Sequence, residues 1–166
     1  MDADIKKTAL RMIPYGIYVM TAKDGDTIAA ATVNWVTQTS FDPPLLAVGV
    51  KTDSGAYGTV VSAGHFALNM LGKDQQGAAF TFFKPAEMDG DTISGEAFTA
   101  GTTGAPILNS SPAAVECKVR DVVELGCHHI IVGEVINAQQ NRDIEGRPDQ
   151  AILHMSDLGE KVFYGG

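Results

Sequence analysis

Four groups of residues in this chain are of reactive types. His128 and His129 are consecutive, Cys117 and Cys127 stand ten apart, Lys51-Thr52-Asp53-Ser54 sets a cation and two hydroxyls around an acid, and Ala30 to Val50 (AATVNWVTQTSFDPPLLAVGV) is crowded with small hydroxyl and amide side chains. Consecutive histidines on a strand point to opposite faces, so they cannot both hold one ion without distortion. One should face outward or into a cleft and the other inward, and an ordinary hydrogen-bonded histidine describes at least one of them. The cysteines lack C-x-x-C spacing, which argues against a local zinc site or dithiol motif and leaves reduced thiols as the expectation. No G-x-S-x-G, G-x-G-x-x-G or G-x-x-x-x-G-K-[ST] pattern is present, so serine hydrolysis, a Rossmann nucleotide fold and a P-loop lack support.

The run from Ala30 to Val50 says most. Thr32, Val33, Val36, Thr37 and Thr39 suit a pleated strand but carry small groups where a core strand carries bulk, which exposes backbone. Pro43 and Pro44 remove two amide donors and hold the chain extended, so Phe41 to Pro44 is expected as a sharp non-helical connection into a buried strand, Leu45 to Val50. Backbone groups at the mouth of such a pocket suit a flat heteroaromatic ligand with a polar rim; a flavin ring fits, with Trp35 as a stacking surface. An ordinary barrel hairpin with threonines toward solvent has the same spacing.

Lys51 to Ser54 precedes a short helical pattern, Gly55 to Ala63, with Ser54 or Asp53 as its N-cap and Gly64 as a left-handed close. A helix start beside a lysine and hydroxyls can hold a phosphate, although a capped surface helix with a solvated lysine looks the same in sequence. Lys73 to Phe83 reads as a second short helix ended by Lys84-Pro85, and Lys84 can reach an anion or simply face water.

The remaining chain supplies the frame. Asp4 to Met12 is expected as a leading helix that packs as an arm. Gly16 to Ala22 and Thr27 to Ala31 flank a turn at Asp24-Gly25. His65 to Leu71, Val115 to Arg120 and His128 to Ala138 read as strands, Gly133 marking a bulge or close approach. Ala86 to Pro112 shows no sustained period and is read as a long loop. Six or seven strands with two or three short helices and no βαβ alternation favour an antiparallel barrel or sandwich. The 166 residues suit a single domain, 1–166. The net charge of −8, from 12 Lys plus Arg and 20 Asp plus Glu, disfavours nucleic acid and anionic membrane surfaces. Without a signal-like or spanning apolar segment, the expected location is the cytoplasm.

Taken together, T-V-N-W-V-T-Q-T-S-F-D-P-P-L at Thr32 to Leu45, K-T-D-S at Lys51 to Ser54, G-x-F-A-L-N-x-L at Gly64 to Leu71 and H-x-I-I-V-G-E-V at His128 to Val135 resemble the flavin reductase-like, FMN-binding split-barrel family. The resemblance runs from about Ile13 to Tyr164. It implies a mainly β fold with short helices, a six-stranded antiparallel Greek-key split barrel that forms a homodimer, with FMN near the interface reduced by NADH or NADPH. Carried over by position, Asn34, Trp35, Val36, Thr37, Gln38, Thr39 and Ser40 would line the isoalloxazine. Lys51, Thr52, Asp53 and Ser54 would hold ribityl and phosphate, and Phe83 with Lys84 would add to the phosphate end. Family members often carry G-D-H where this chain has Gly126-Cys127-His128, so His128 is the expected catalytic residue on the nicotinamide side and Cys127 replaces the acid. The implied activity is an NAD(P)H-dependent FMN reductase serving a flavin-dependent monooxygenase. The alternative, motivated by Cys127, is a non-enzymatic FMN carrier passing electrons to a rubredoxin-like partner; a haem- or pyridoxamine-type binder on a similar barrel is a third reading.

Overall fold

The computed structural model describes residues 1–166. Helix α1 (Ala3–Arg11) begins where the Asp2 carboxylate accepts from the Asp4 and Ile5 amides at 2.9 Å, and it stops short of Pro14 as expected. None of its residues is buried, and its last residue touches the C-terminal tail, Arg11 lying 4.2 Å over the Phe163 ring and donating to the Gly165 carbonyl at 3.3 Å. Strands β1 (Tyr18–Asp24) and β2 (Thr27–Val33) form the expected hairpin, with Gly25 at φ 56 in the turn, a conformation that favours glycine.

The chain then departs from expectation. Thr32 to Thr39 is not one strand: β2 ends at Val33, and β3 (Val36–Phe41) starts after Asn34-Trp35 on the far edge of the same sheet. The Trp35 carbonyl accepts from the Gly49 amide at 2.8 Å, which pins this crossing to β4 (Pro44–Lys51). Asp42-Pro43 is a cis peptide between β3 and β4. Helix α2 (Gly55–Ala63) has the predicted caps, the Ser54 hydroxyl accepting from the Tyr57 amide at 3.3 Å and Gly64 at φ 70. Strand β5 (His65–Met70) follows, then α3 (Gln76–Thr81), shorter than the sequence pattern suggested.

Ala86 to Pro112 is not a structureless loop. It folds into a small sheet of β6 (Met88–Asp89), β7 (Thr92–Ile93), β8 (Glu96–Ala100) and β9 (Pro106–Leu108), in that spatial order. Such short strands show no measurable alternation, which is why the period is missing from the sequence. The loop between β8 and β9 is held by Glu116, 2% exposed, whose carboxylate accepts from the amides and hydroxyls of Thr102 and Thr103 and from the Asn137 amide.

Two long strands, β10 (Ala113–Val123) and β11 (His128–Gln140), complete the main sheet; α4 (Pro148–Ala151) and a 3₁₀ turn at Met155–Leu158 lead into the C-terminal residues. The main sheet is antiparallel with order β2-β1-β5-β10-β11-β4-β3. The mainly β architecture with short helices is therefore as expected, but the sheet has seven strands rather than six and no ladder joins β2 to β3. Alternate residues of β1 feed two cores. Val19 packs with Leu71, Phe82 and Leu153 on one face, and Met20 and Ala22 pack with Val48, Val60, Phe66 and Ile131 on the other. Gly133 is a close approach: a Cβ there would stand 2.7 Å from the Phe66 ring. No helix is long and apolar enough to cross a membrane.

Candidate functional site

A cleft of about 510 Å³ opens where β2, the β4 end, the α2 start, the segment after α3 and the C-terminal tail converge. Its floor is Ile28 to Asn34, where Ala29, Ala30 and Ala31 present little more than methyl groups and backbone. Thr32 is held in the fold: its hydroxyl donates to the Ala79 carbonyl at 2.7 Å and its amide to the Phe82 carbonyl at 3.0 Å. These bonds fix the Phe82 to Ala86 wall against β2. Asn34 is buried and donates to the Tyr164 carbonyl at 3.1 Å, which ties the floor to the tail.

One end of the cleft is polar. Lys51, Asp53, Ser54, Gly55 and Lys84 all line it. Lys51 pairs with Asp53 at 3.0 Å, and this bond raises the lysine further above its ordinary pKa. With Lys84 added, the charged side chains of the cleft sum to +1 (two lysines against one aspartate) on a chain of net charge −8. The first-turn amides of α2 open beside them, so both the local charge and the helix terminus favour an anion there. A Cβ at Gly55 would meet nothing within 4 Å, so that approach is open.

The other notable group is aromatic. His128 enters β11 opposite Lys51 across the β11–β4 ladder. Its ring centroid lies 4.4 Å from Trp35, and Trp35 lies 5.6 Å from Tyr164. Imidazole Nε2 is 2.7 Å from the Tyr164 hydroxyl and Nδ1 is 3.2 Å from Cys127 Sγ. Burial, then the Lys51 ammonium, hold His128 below its ordinary pKa of 6.5 against an opposing pull from Asp53. Burial also raises the Tyr164 phenol. His129 points the other way, as its parity requires, and its Nδ1 is 2.6 Å from the Tyr57 hydroxyl. Both cysteines are free; Cys117 is buried and its thiol is pushed up to about 12, while Cys127 is exposed.

Of the residues singled out in the sequence, Asn34, Lys51, Asp53, Ser54, Phe83, Lys84 and His128 line this cleft. Thr52 does not; its amide bonds the Cys127 carbonyl at 3.2 Å. Trp35 packs under His128 and over Gly49, whose Cβ would stand 3.1 Å from the indole. Val36, Thr37, Gln38, Thr39 and Ser40 run along edge strand β3 outside the cleft, with Thr37 to Thr39 exposed. Sequence reasoning put Thr32 and Val33 on the pocket strand but missed Ala29 to Ala31, Met155 and Tyr164. The alanine triplet was the available signal, because a strand of three small residues cannot fill the space above it; for Tyr164 there was none.

The family described as flavin reductase like domain matches residues 10–157. A flavin reductase of Pseudomonas putida is 31% identical over 140 residues, 84% of this chain and 81% of that protein. The reductase subunit of stachydrine N-demethylase from Rhizobium meliloti is 34% identical over 135 residues, 81% of this chain. Among solved structures, the flavin reductase component of a bacterial two-component tryptophan halogenase superposes with a TM-score of 0.72 at 27% identity, covering 84% of this chain and 88% of that one. The chain spans about half the length of two Rhizobium meliloti relatives, 41% of one and 57% of the other. By the extent of that match, the chain belongs to the flavin reductase-like domain family.

Proposed function

We propose that the protein is an NAD(P)H-dependent flavin reductase that binds FMN in the cleft between β2 and the C-terminal tail. The observation that carries this reading is the pairing, in one cleft, of a flat small-residue floor with a cationic end at a helix start. Ala29 to Ala31 leave room for a three-ring system against backbone, and Lys51, Lys84 and the α2 amides suit its phosphate. Bound flavin would supply the hydride-accepting chemistry. The chain's own residues bind and orient: Thr32 and Asn34 hold floor, wall and tail in register, Lys51 and Ser54 mark the anionic end, and His128 stands as a neutral imidazole at the rim. Ring burial must supply most of the affinity, since a helix terminus contributes about 0.3–1 kcal/mol and micromolar binding needs about 8 kcal/mol.

On this reading the seven-stranded sheet corresponds to the family's split barrel, and residues 1–166 act as one unit. Half-exposed Ile130 and Ile136 on β11 support a homodimer with the sheet at its interface. The reductase components among its relatives support delivery of reduced flavin to a separate flavin-dependent monooxygenase, and the cytoplasm is where the nucleotide donor is abundant. The thiol of Cys127 beside His128 favours a second reading, an FMN carrier that hands electrons to a small redox protein. Anaerobic addition of NADH and then NADPH to the FMN-loaded protein separates these. Bleaching with turnover of added flavin is the expected result, bound flavin without turnover selects the carrier, and failure to retain or reduce FMN refutes both.

A further inference from the structure

We propose that Tyr164 and Cys127 make His128 the centre of a proton relay that runs from solvent to the cleft. This rests on the flavin reductase reading. The geometry is continuous: Cys127 Sγ to Nδ1 is 3.2 Å, Nε2 to the Tyr164 hydroxyl is 2.7 Å, Cys127 is exposed, and His128 and Tyr164 both line the cleft. Neither neighbour is placed by accident of a flexible side chain. Tyr164 packs against Trp35 with the rings tilted and their centroids 5.6 Å apart, and its carbonyl accepts from buried Asn34, while Cys127 lies at the turn whose carbonyl accepts from the Thr52 amide at 3.2 Å.

A neutral imidazole donates from one nitrogen and accepts at the other. That asymmetry is what a relay needs, because a protonated ring would donate to both neighbours and pass nothing on. Reduction of a flavin by a nicotinamide donor consumes one hydride from the donor and one proton from solvent. In the relay the S–H bond of Cys127 breaks as Nδ1–H forms, Nε2–H breaks as a new O–H forms on Tyr164, and the proton already on that oxygen moves into the cleft. Solvent then restores the thiol, and exchange of the ring proton from Nδ1 to Nε2 through water returns the imidazole to its starting tautomer. One proton crosses and no electrons move in the relay itself; the electron pair arrives with the hydride. The charged and titratable groups facing His128 are Cys127, Tyr164, Lys51 and Asp53, and the burial and Lys51 field that lower its pKa keep the ring in the neutral, competent form at pH 7.

The test uses the full chain in two states. In the flavin-free protein, ¹⁵N resonances of the His128 ring, assigned by their loss in His128→Gln, are followed with pH in wild type, Tyr164→Phe and Cys127→Ala. Each substitution should move the protonation midpoint and the balance between the two nitrogens, with Trp35 fluorescence unchanged in Tyr164→Phe because the ring is kept. In the FMN-loaded protein, single-turnover bleaching by the donor should slow on the order of 100-fold in Tyr164→Phe, the scale of a lost general acid. That variant should also lose the deuterium oxide effect, and Cys127→Ser should restore what Cys127→Ala removes. A His128 resonance indifferent to both substitutions, or a Tyr164→Phe variant with the wild-type pH profile and deuterium oxide effect, overturns the relay. Failure of the wild type to take up or reduce FMN would instead overturn the flavin reading, and the flavin-free resonances would still decide where the His128 protons sit.

Discussion

Replacing Glu116 by glutamine should cost this fold about 3 kcal/mol at pH 7, by linkage from its shifted ionisation. Burial would raise this carboxyl, yet the bonds from Asn137, Thr103 and Thr102 outweigh it and hold the group at about 2, against an ordinary 4.5. Its oxygens accept at 2.7 Å from both the amide and the hydroxyl of Thr103, and at 3.1 and 3.0 Å from those of Thr102. Glutamine fills the same space but turns an NH₂ toward one of these donor pairs, leaving them unpaired. The loop lies close against the carboxylate, since a Cβ at Gly101 would stand 2.5 Å from it. For a chain of 166 residues, that loss corresponds to a thermal midpoint lower by roughly 6–12 °C. Because the folded pKa is depressed, the stabilisation is complete above the unfolded value and is lost as pH falls toward 2, so the gap between wild type and Glu116→Gln should close across that window. Thermal melts of both proteins at pH 7, 5, 4 and 3 read this directly. A gap under about 1 kcal/mol at pH 7, below the scale of one unsatisfied buried donor, or a gap independent of pH, refutes the clamp.

Gly133→Ala should destabilise by about 1–3 kcal/mol in urea unfolding, because its Cβ would stand 2.7 Å from the Phe66 ring and 3.0 Å from the Cys117 Cβ. Lys51→Met should weaken FMN binding about tenfold, the order of one charge-assisted hydrogen bond at a partly wet site, by fluorescence titration. Its thermal midpoint should not move, since the Lys51–Asp53 pair is exposed at 50% and 71%. His128 has a folded pKa below its ordinary 6.5, so the unfolded chain binds the extra proton first and stability should fall as pH drops below that value. Denaturation followed by the single tryptophan, Trp35, at pH 7.5 and 5.5 should show this slope, and His128→Gln should remove it.

The legible parts of this fold were those written in local chemistry. Asp24-Gly25 gave its hairpin, Ser54 and Gly64 their caps, and the parity of His128 and His129 their opposite faces. Where a long-range contact overrides local pattern, the sequence reading failed. Five of the eight residues from Thr32 to Thr39 are β-branched and the run reads as one strand, but the Trp35 carbonyl is bonded by the Gly49 amide of β4 and its ring packs against His128. That one residue moves Val36 to Ser40 to the opposite edge of the sheet and out of the cleft. The small sheet β6 to β9 was invisible for a different reason, since strands of two to five residues carry too few alternations to be told from loop.

The site divides along the same line. Its polar end is built mostly on one continuous segment, Lys51 to Gly55, where a helix start can be read residue by residue, with Lys84 added from the segment after α3; that is the part the sequence located. Its aromatic end joins Trp35, His128 and Tyr164, which meet only because β4 pairs with β11 and Asn34 captures the tail carbonyl. The consequence for function is that the two ends answer to different constraints. Substitutions around Lys51 act on a wet, screened charge and should tune affinity smoothly with ionic strength. Substitutions at Trp35, His128 or Tyr164 act on a packed, hydrogen-bonded group in which each ring fixes the other two. Loss of Trp35 or Tyr164 should therefore change the protonation and position of His128 before it changes how tightly the flavin is held.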